Sequence, residues 1–370
     1  MRVLYLSAWY PTERDQMAGL FVRKHKEAVE RQGADVRVAY NEEKNAFRSL
    51  MMLWREVKQW MKEGWVPDVV QVNVLSKHAL IAYWLKKRYN VPYIIVEHWS
   101  GYLPQNFSIR GGWHLKLMKI LAREAYCILP VSQNLQSAMK KCGIQNARWE
   151  RIHNVVDDFF YRRSTDGRPT VDRQSTETSP RDVTEKRLRN ERCHLLHVSC
   201  FDEKAKNVKG LLRAVREVAE RRQDFTLTLV GNGADWVADR AYAESLHFPD
   251  GMLIWTGEQT PQEVCQWMQQ SDVFVLFSNY ENAPVVLSES LAAGCPVIAT
   301  SVGGIPEIIN NQCGVLVTPR DEKALAREIY RMLDHFNDYD KHTIRSLGVQ
   351  YDYQSVGEKL YAIYKQAVGE

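Results

Sequence analysis

The chain has 370 residues, of which 45% are hydrophobic and 25% are charged, a composition typical of a soluble globular protein with two domains. No apolar run reaches the roughly eighteen residues that span a bilayer, and the first seven residues predict a strand rather than a signal peptide. The seven scattered cysteines include no Cys-x-x-Cys pair, which favours reduced thiols in a cytosol over disulfides or a zinc site.

The net charge of +4 is distributed unevenly along the chain. Residues 1–163 hold 26 Lys and Arg against 15 Asp and Glu, a net charge of +11, whereas the remainder has a net charge of −7. Such an asymmetry carries information on partners rather than on the fold. It predicts that the first part of the chain faces an anionic partner, either a phosphate-linked lipid acceptor or the anionic membrane surface that carries it.

The first part of the chain alternates predicted strands and helices, which is typical of a parallel α/β sheet. The strands are predicted over 2–8, 35–40, 67–74, 92–98 and 127–132, and the helices over 20–32, 48–64, 77–89 and 113–126. Gly19 precedes the first helix, where a glycine lets the backbone approach a phosphate closely or serves as a plain turn residue. His98 ends a strand, at the sheet edge that binds ligands, although a structural hydrogen bond is the commoner role there.

The predicted helix over 48–64 has one apolar stripe and one basic face. Packing of the stripe in the core is the default interpretation, and a membrane-surface helix is the alternative. For the alternative we expect Trp54, Trp60 and Trp113 to be exposed at headgroup depth. The basic residues that would face the membrane are Arg48, Arg55, Lys58, Lys62, Arg110, Lys116, Lys119 and Arg123.

Residues 164–190 contain almost no large apolar side chain, which predicts a flexible loop or linker. Strands and helices then alternate again over 191–353. The loop after the first of these strands carries Lys204, Lys206 and Lys209, which are either solvated charges or ligands of a diphosphate.

One βαβ unit, over residues 272–304, holds two carboxylates in otherwise apolar surroundings. Glu281 precedes the helix that begins near Pro284 and ends at Gly294, and Glu289 lies inside that helix. A carboxylate there would be satisfied by the paired hydroxyls of a ribose, and the amides at the helix start favour a phosphate. The unit therefore predicts a nucleotide-sugar pocket, with a glutamate on a half-exposed surface helix as the alternative.

The run from Glu281 through Glu289 and Gly294-Cys295-Pro296 to Gly303-Gly304-Ile305-Pro306-Glu307 resembles the signature of retaining glycosyltransferase family 4. Three further stretches resemble motifs of this family, namely 19–22, 151–157 and 206–212. The resemblance implies the GT-B fold, with two doubly wound Rossmann-like α/β domains and an interdomain cleft. The implied domains are an acceptor-side domain over 1–163 with a C-terminal helix at about 354–370, and a donor-binding domain over 191–353.

The resemblance also implies transfer of a sugar from a nucleotide-diphosphate donor to a hydroxyl acceptor, and a UDP-sugar is the first candidate for the donor. The anomeric configuration is retained, and no metal or other cofactor is required. In this family pattern Glu289 holds the ribose, Glu281 the sugar hydroxyls and Lys206 the diphosphate. His98 positions the sugar. The residues implied for donor binding are Gly19, Lys206, Glu281, Asn282, Ala283, Pro284 and Glu289, and those implied for catalysis are His98, Lys206 and Glu281.

The chain departs from the family pattern after the first strand of the second domain. The usual arginine is absent, with Cys200 near its place, and the loop is one residue longer, so that Lys204 is the alternative to Lys206. This missing arginine leaves a second function open, a noncatalytic nucleotide-sugar-binding module. A nucleotide-sugar epimerase of the same fold is another alternative, since it would bind the same donor, but the catalytic carboxylates and histidines that it needs are not placed in this sequence. One further motif, Asp338-Tyr339-Asp340, matches the Asp-x-Asp metal motif of other glycosyltransferases but does not follow a buried strand.

We expect a nucleotide sugar and a carbohydrate or lipid-linked acceptor as partners, and no nucleic acid. The expected role is cell-surface polysaccharide or glycolipid synthesis. The expected location is cytoplasmic, peripheral on the inner face of the membrane.

Overall fold

The computed structural model describes residues 1–108, 111–162 and 192–370. The chain divides into two compact units, of which the first comprises Met1–Val155 with Gln350–Glu370 and the second comprises Val156–Val349. The predicted linker over 164–190 lies outside the described residues, and so does Arg110.

The described part of the first unit forms a five-stranded parallel sheet. Its strands are β1 (Arg2–Ser7), β2 (Asp35–Ala39), β3 (Val69–Asn73), β4 (Tyr93–Glu97) and β5 (Ile128–Pro130). Strands β3 and β4 are buried along their whole length, as expected for a parallel sheet that is covered on both faces. The spatial order is β2-β1-β3-β4-β5, so the direction in which strands are added reverses between β1 and β3.

Helices connect these strands. They are α1 (Leu20–Glu30), α2 (Ala46–Lys62), α3 (Ala79–Tyr89), α4 (Trp113–Glu124) and α5 (Gln133–Lys141). Polar side chains fix two of the helix starts: Asn45 accepts from the first amides of α2, and Ser132 caps α5 through the amide of Leu135, as its position directly after a strand predicts.

Two tryptophans of α2 pack inside the first unit. The ring of Trp54 contacts Trp84 of α3, with centroids 4.1 Å apart, and the ring of Trp60 contacts Trp65 at 6.0 Å. Both tryptophans are only partly accessible, so the prediction that they are exposed is wrong. The reason is that each ring finds an aromatic partner within the unit. Trp113, the third tryptophan of that prediction, is 75% exposed.

The second unit contains a six-stranded parallel sheet in its described residues. Its strands are β6 (Cys193–Val198), β7 (Phe225–Val230), β8 (Leu253–Gly257), β9 (Val273–Leu276), β10 (Val297–Thr300) and β11 (Gly314–Val317). The order is β11-β10-β9-β6-β7-β8, so the direction of strand addition reverses between β6 and β9. The two units therefore confirm the predicted pair of doubly wound α/β domains.

Seven helices flank this sheet in the part of the chain that the structure describes. They are α6 (Glu203–Lys206), α7 (Val208–Ala219), α8 (Trp236–Ser245), α9 (Pro261–Gln270), α10 (Val285–Ala293), α11 (Glu322–His335) and α12 (Lys341–Gly348). Gly294 ends α10 in the left-handed conformation, with φ 79°, which explains the glycine at that position.

The last helix, α13 (Tyr353–Val368), packs on the first unit. It lies so close to α1 that a Cβ on Gly357 would stand 2.4 Å from the carbonyl oxygen of Ala28. In the interior, the hydroxyl of Tyr364 lies 2.9 Å from that of Tyr5 and donates to Gln71 of β3 at 2.6 Å. These buried contacts make α13 part of the core of the first unit.

The observed limits of the units differ from the predicted domain limits. The first unit ends at Val155, not at 163, because the 3₁₀ turn Asp158–Tyr161 packs in the second unit. There the carbonyl of Phe159 accepts a hydrogen bond from Cys265 of α9, and the hydroxyl of Tyr161 donates to the carbonyl of Gly348 at 2.9 Å. Short 3₁₀ turns also occur at Ser100–Tyr102, Pro104–Asn106, Ile305–Glu307, Phe336–Asp338 and Val349–Tyr351.

Candidate active site

The candidate site of the second unit lies at the carboxyl ends of β6 and β9. These strands are neighbours, and the direction of strand addition reverses between them. Loops that leave such a switch point diverge to opposite faces of the sheet and leave a crevice, which is where α/β sheets bind ligands. Lys206 follows β6 and Glu281 follows β9, so the topology brings these two predicted residues to the same crevice.

Lys206 and Glu281 form a buried ion pair. The Nζ atom of Lys206 lies 2.6 Å from Oε1 of Glu281, and the two side chains are only 15% and 10% exposed. The hydroxyl of Ser278 donates to the same carboxylate oxygen at 2.8 Å. Burial lowers the pKa of Lys206, but the charge of Glu281 and the hydrogen bond to it outweigh burial and raise this pKa above its usual value. Lys206 is therefore a fixed cation.

Asn279 holds the two loops of this pair together. Its backbone amide donates to the carbonyl of Ala205 at 2.7 Å, and its side-chain amide donates to the carbonyl of Lys204 at 3.1 Å. The guanidinium of Arg320, in the loop after β11, donates to the side-chain oxygen of Asn279 at 3.2 Å. Asn279 was not singled out from the sequence, because a loop asparagine before a glutamate has no distinctive pattern.

The structure separates the three lysines of the loop after β6. Lys206 is directed to Glu281, whereas Lys204 is exposed and Lys209 lies over the ring of Tyr242, 5.8 Å from its centroid. Cys200, near the place of the arginine that the family pattern expects, is also exposed. Of these lysines, Lys206 is thus the one that is held beside a site carboxylate.

Two glycines fix the backbone around Glu281. A Cβ on Gly303, whose φ is 57°, would stand 1.8 Å from the carbonyl oxygen of Glu281, so no other residue fits there without a backbone shift. The amide of Gly304 donates to the carbonyl of Asn282 at 2.9 Å. The Gly303-Gly304 turn after β10 therefore holds Glu281 and Asn282 against the amino end of α10, where Ala283 and Pro284 also lie.

Glu289 lies on α10, eight residues after Glu281, and is half-buried. Burial raises the pKa of the Cys265 thiol on α9 to about 12, and the charge of Glu289 contributes to this shift. Glu289 therefore lies near Cys265 of α9.

In the first unit, Gly19 directly precedes α1 and has φ 66°. A Cβ at this position would stand 2.4 Å from the carbonyl oxygen of Trp9, in the loop after β1. Close approach of two backbone segments thus requires the glycine. This contact explains the residue structurally, and its role in phosphate binding stays a prediction.

His98 lies directly after β4 and is enclosed by two side chains of α1. The ring of Phe21 stacks on it, with centroids 3.8 Å apart, and the ring of His25 lies at 5.6 Å. Burial, and next the charge of His25, hold the pKa of His98 well below its usual value. His98 is therefore a neutral imidazole.

His25 was missed by the sequence analysis. Its side chain is fully buried, its Nε2 lies 2.9 Å from the carbonyl oxygen of His153, and burial lowers its pKa to about 4. The available signal was its spacing: a histidine four residues after Phe21 lies on the same face of α1. His25 and Phe21 together set the position of the His98 ring.

Glu97, which the sequence analysis left without a role, anchors the loop that carries His98. Its fully buried carboxylate accepts from the backbone amides of Leu75, His98 and Trp99 at 2.9 to 3.0 Å. Burial raises the pKa of this carboxyl to about 7, although the three amides act in the opposite direction.

Replacing Glu97 by glutamine is expected to change the pH dependence of stability. The pKa of the Glu97 carboxyl is about 7 in the folded state and 4.5 in the unfolded state, so the folded state binds the proton more tightly. The stabilisation from this proton is therefore complete below pH 4.5 and is lost as the pH rises through 7. The free energy of unfolding of the wild type, relative to Glu97→Gln, should therefore fall by about 3 kcal/mol between pH 4.5 and 8. Urea unfolding of both proteins across this range measures the difference, and a constant or rising difference would contradict the prediction.

The Asp-x-Asp motif has a structural role. Asp338 accepts from the ring of His335 at 2.9 Å, and Asp340 caps α12 through the amides of His342 and Thr343. In residues 1–108, 111–162 and 192–370, no three His, Cys, Asp or Glu side chains are grouped to hold a metal ion. No helix in the same ranges is both long and apolar enough to cross a membrane.

Comparison with known proteins agrees with this geometry. Residues 8–158 match the family model described as Glycosyltransferase Family 4, and residues 192–335 match the model described as Glycosyl transferases group 1. The chain is 25% identical over 273 residues to N-acetyl-alpha-D-glucosaminyl L-malate synthase of Bacillus anthracis, an alignment that covers 72% of this chain and 65% of that protein. It is 30% identical over 275 residues to glycogen synthase of Mycobacterium tuberculosis, covering 73% of this chain and 61% of that protein.

These alignments span less than two thirds of the length of either relative. Among solved structures, Anabaena HepE in complex with UDP and glucose superposes with a TM-score of 0.71 at 19% identity, over 99% of this chain and all of HepE. This likeness shows the GT-B fold. Since the two family models together match most of the described part of both units, the chain belongs to the family 4 type of GT-B glycosyltransferases.

Proposed function

We propose that this protein transfers a sugar from a nucleotide-diphosphate donor, a UDP-sugar, to a hydroxyl group of an acceptor, with retention of the anomeric configuration. The observation that carries the proposal is the buried Lys206–Glu281 pair at the switch point of the second unit. A cation and a carboxylate at one crevice suit a ligand that has a diphosphate next to a polyol.

In the proposed reaction, the bond between the anomeric carbon and the diphosphate oxygen breaks, and negative charge grows on the departing diphosphate. Lys206 stabilises this charge where water is partly excluded, so its contribution is larger in the transition state than in the bound donor. Glu281 accepts hydrogen bonds from the sugar hydroxyls, and Glu289 from the ribose. The acceptor hydroxyl then bonds to the anomeric carbon on the face that the diphosphate leaves, and its proton passes to the departing phosphate oxygen, since no carboxylate nucleophile is assigned.

The resemblance to the family gives the remaining donor contacts. His98, as a neutral imidazole, would exchange a hydrogen bond with a sugar hydroxyl. The backbone near Gly19, Asn282, Ala283 and Pro284 would approach the diphosphate, because helix starts favour anions.

The choice of donor and acceptor rests on relatives. HepE was solved in complex with UDP and glucose, which supports a UDP-sugar as the donor of this protein. The two curated relatives carry the names of enzymes that differ in acceptor, so they do not favour one acceptor. We propose a carbohydrate or lipid-linked acceptor in cell-surface polysaccharide or glycolipid synthesis. The proposed location is the cytoplasm, with peripheral association with the inner face of the membrane.

A panel of nucleotide sugars tests the function directly. The preferred donor is expected to raise the melting temperature, because binding to the folded state stabilises it by mass action. The same donor should then release nucleoside diphosphate, with a faster rate when the acceptor is added. Stabilisation without release would identify a binding module, and isomerisation of the donor sugar without release would identify an epimerase.

Chelation tests the absence of a metal requirement. Treatment with EDTA is expected to leave the initial rate of transfer within about twofold of the untreated enzyme, because Lys206 supplies the positive charge at the leaving group in this proposal. Activity that EDTA abolishes and Mn²⁺ restores would contradict it.

A further inference from the structure

Helices α2, α3 and α4 lie side by side in the first unit. The ring of Trp54 on α2 packs edge-on against Trp84 on α3, and Lys86 and Lys87 of α3 pair with Glu124 of α4 at 3.2 and 3.1 Å. The three helices therefore form one continuous layer. We call the solvent-facing side of this layer the basic layer.

The basic layer concentrates the positive charge of the first unit. Its exposed cations are Arg48, Arg55, Lys58, Lys62, Lys87, Arg88, Lys116 and Arg123. These helices contain only two carboxylates, Glu56 and Glu124; both are half-buried, and Glu124 is neutralised by its two lysine partners. The surface is thus strongly cationic, with Glu63, exposed directly after α2, as a neighbouring anion at the end of that helix.

Large apolar side chains protrude from the same surface. On the first two turns of α2, Phe47 is 72%, Met52 50% and Met51 36% exposed; on α4, Trp113 is 75% and Ile120 44% exposed. Six of the thirteen exposed large apolar side chains of the described residues, including Tyr89 at the end of α3, lie on these three helices. They are concentrated here rather than scattered singly over the surface.

Helical spacing aligns the two kinds of side chain. Positions 47, 51, 55, 58 and 62 follow one face of α2, and positions 113, 116, 120 and 123 follow one face of α4. On α2 the apolar side chains come first and the cations follow. On α4 they alternate as Trp, Lys, Ile and Arg.

From this arrangement we infer that the basic layer docks on an anionic phospholipid bilayer, with Phe47, Met51, Met52, Trp113 and Ile120 entering the headgroup region. Cations near an anionic membrane are attracted over a Debye length of about 8 Å at physiological ionic strength. Aromatic and long apolar side chains gain by leaving water at the interface. The inference specifies the surface and the lipid class, which the proposed function leaves open, and it does not depend on transferase activity.

Co-sedimentation of the full chain with vesicles tests this inference. The wild type is expected to sediment with vesicles that contain 30% phosphatidylglycerol but not with pure phosphatidylcholine, and to be released at high salt. Charge reversal at Arg55, Lys58 and Lys62 to Glu should weaken the partition coefficient for anionic vesicles at least tenfold. The double variant Phe47→Ser, Met52→Ser should have a partition coefficient several-fold below that of the wild type. The binding that remains should depend on salt as wild-type binding does.

A matched charge reversal on the second unit serves as the control. Arg221, Lys323 and Arg327 are exposed cations, and their replacement by Glu changes the net charge by the same amount. This control is expected to bind anionic vesicles within about twofold of the wild type. Equal loss in both triple variants, or a wild type that stays in the supernatant with both lipids, would overturn the inference. So would concentration-dependent self-association that the Phe47, Met52 variant abolishes, since the layer would then bind a second copy of the chain.

Discussion

Replacement of Lys206 by alanine is expected to lower kcat by about 100- to 1,000-fold, because a fixed cation at a developing anion contributes mainly in the transition state. Lys204→Ala and Lys209→Ala are the matched controls, since both residues belong to the same loop but lie outside the ion pair. Each control should retain kcat within about threefold. Steady-state release of nucleoside diphosphate measures all three variants. If Lys204→Ala is the most damaging, the phosphate ligand is Lys204 and the assignment of Lys206 is wrong.

The same pair predicts a stability effect that needs no substrate. Lys206→Met leaves Glu281 buried without its cation, which should lower the free energy of unfolding by about 3 kcal/mol. Adding Glu281→Gln should recover most of this loss, because the uncompensated charge disappears. Urea unfolding of the wild type, both single variants and the double variant gives the coupling energy. Strictly additive effects would show that the two side chains do not interact in solution.

Replacement of Glu289 by alanine is expected to weaken UDP binding by about 10- to 150-fold while leaving the fold intact. Loss of a hydrogen bond to a charged group corresponds to about 1.5–3 kcal/mol, and Glu289 is only half-buried, so little core volume is lost. Glu328→Ala on α11 is a matched control, a half-buried helical glutamate that pairs with Arg331 away from the site. Calorimetric titration with UDP measures the Kd of the wild type and of both variants, and only Glu289→Ala should raise it. An unchanged Kd for Glu289→Ala would remove the ribose assignment.

The sequence predicted the two α/β units because their strands are short apolar runs and their turns carry glycine and proline. It also brought Glu281 and Lys206 into one candidate site, although they lie 75 positions apart, since a motif resemblance assigned both to the donor. Whether those assignments hold for this chain is what the substitutions above measure.

The remaining features depend on contacts between residues that are distant in sequence, which a local pattern does not encode. Asn279, which bridges two loops, became visible only once the strands were placed side by side. The contact of His25 with His98 also joins distant residues, although the spacing of His25 from Phe21 was a local signal. The exposure of Trp54 and Trp60 was mispredicted for the same reason. Trp54 and Trp60 pack against Trp84 and Trp65, two aromatic partners that the pattern of α2 alone does not indicate.

Helix α13 affects when the first unit can complete its folding during translation. Residues 1–155 of the first unit are translated before the second unit, yet the Tyr5 hydroxyl meets that of Tyr364, 359 positions later, in a helix that is translated after the second unit. Until then, the apolar face of α1 and the polar ends of Tyr5 and Gln71 lack their native cover. Residues 1–155 therefore cannot complete the core of the first unit until α13 has been synthesised, whereas the second unit is one contiguous segment that can fold earlier. Closing a loop of this length is slow relative to local folding, so the amino-terminal unit is expected to rely longest on chaperones and to be the first to suffer from premature termination.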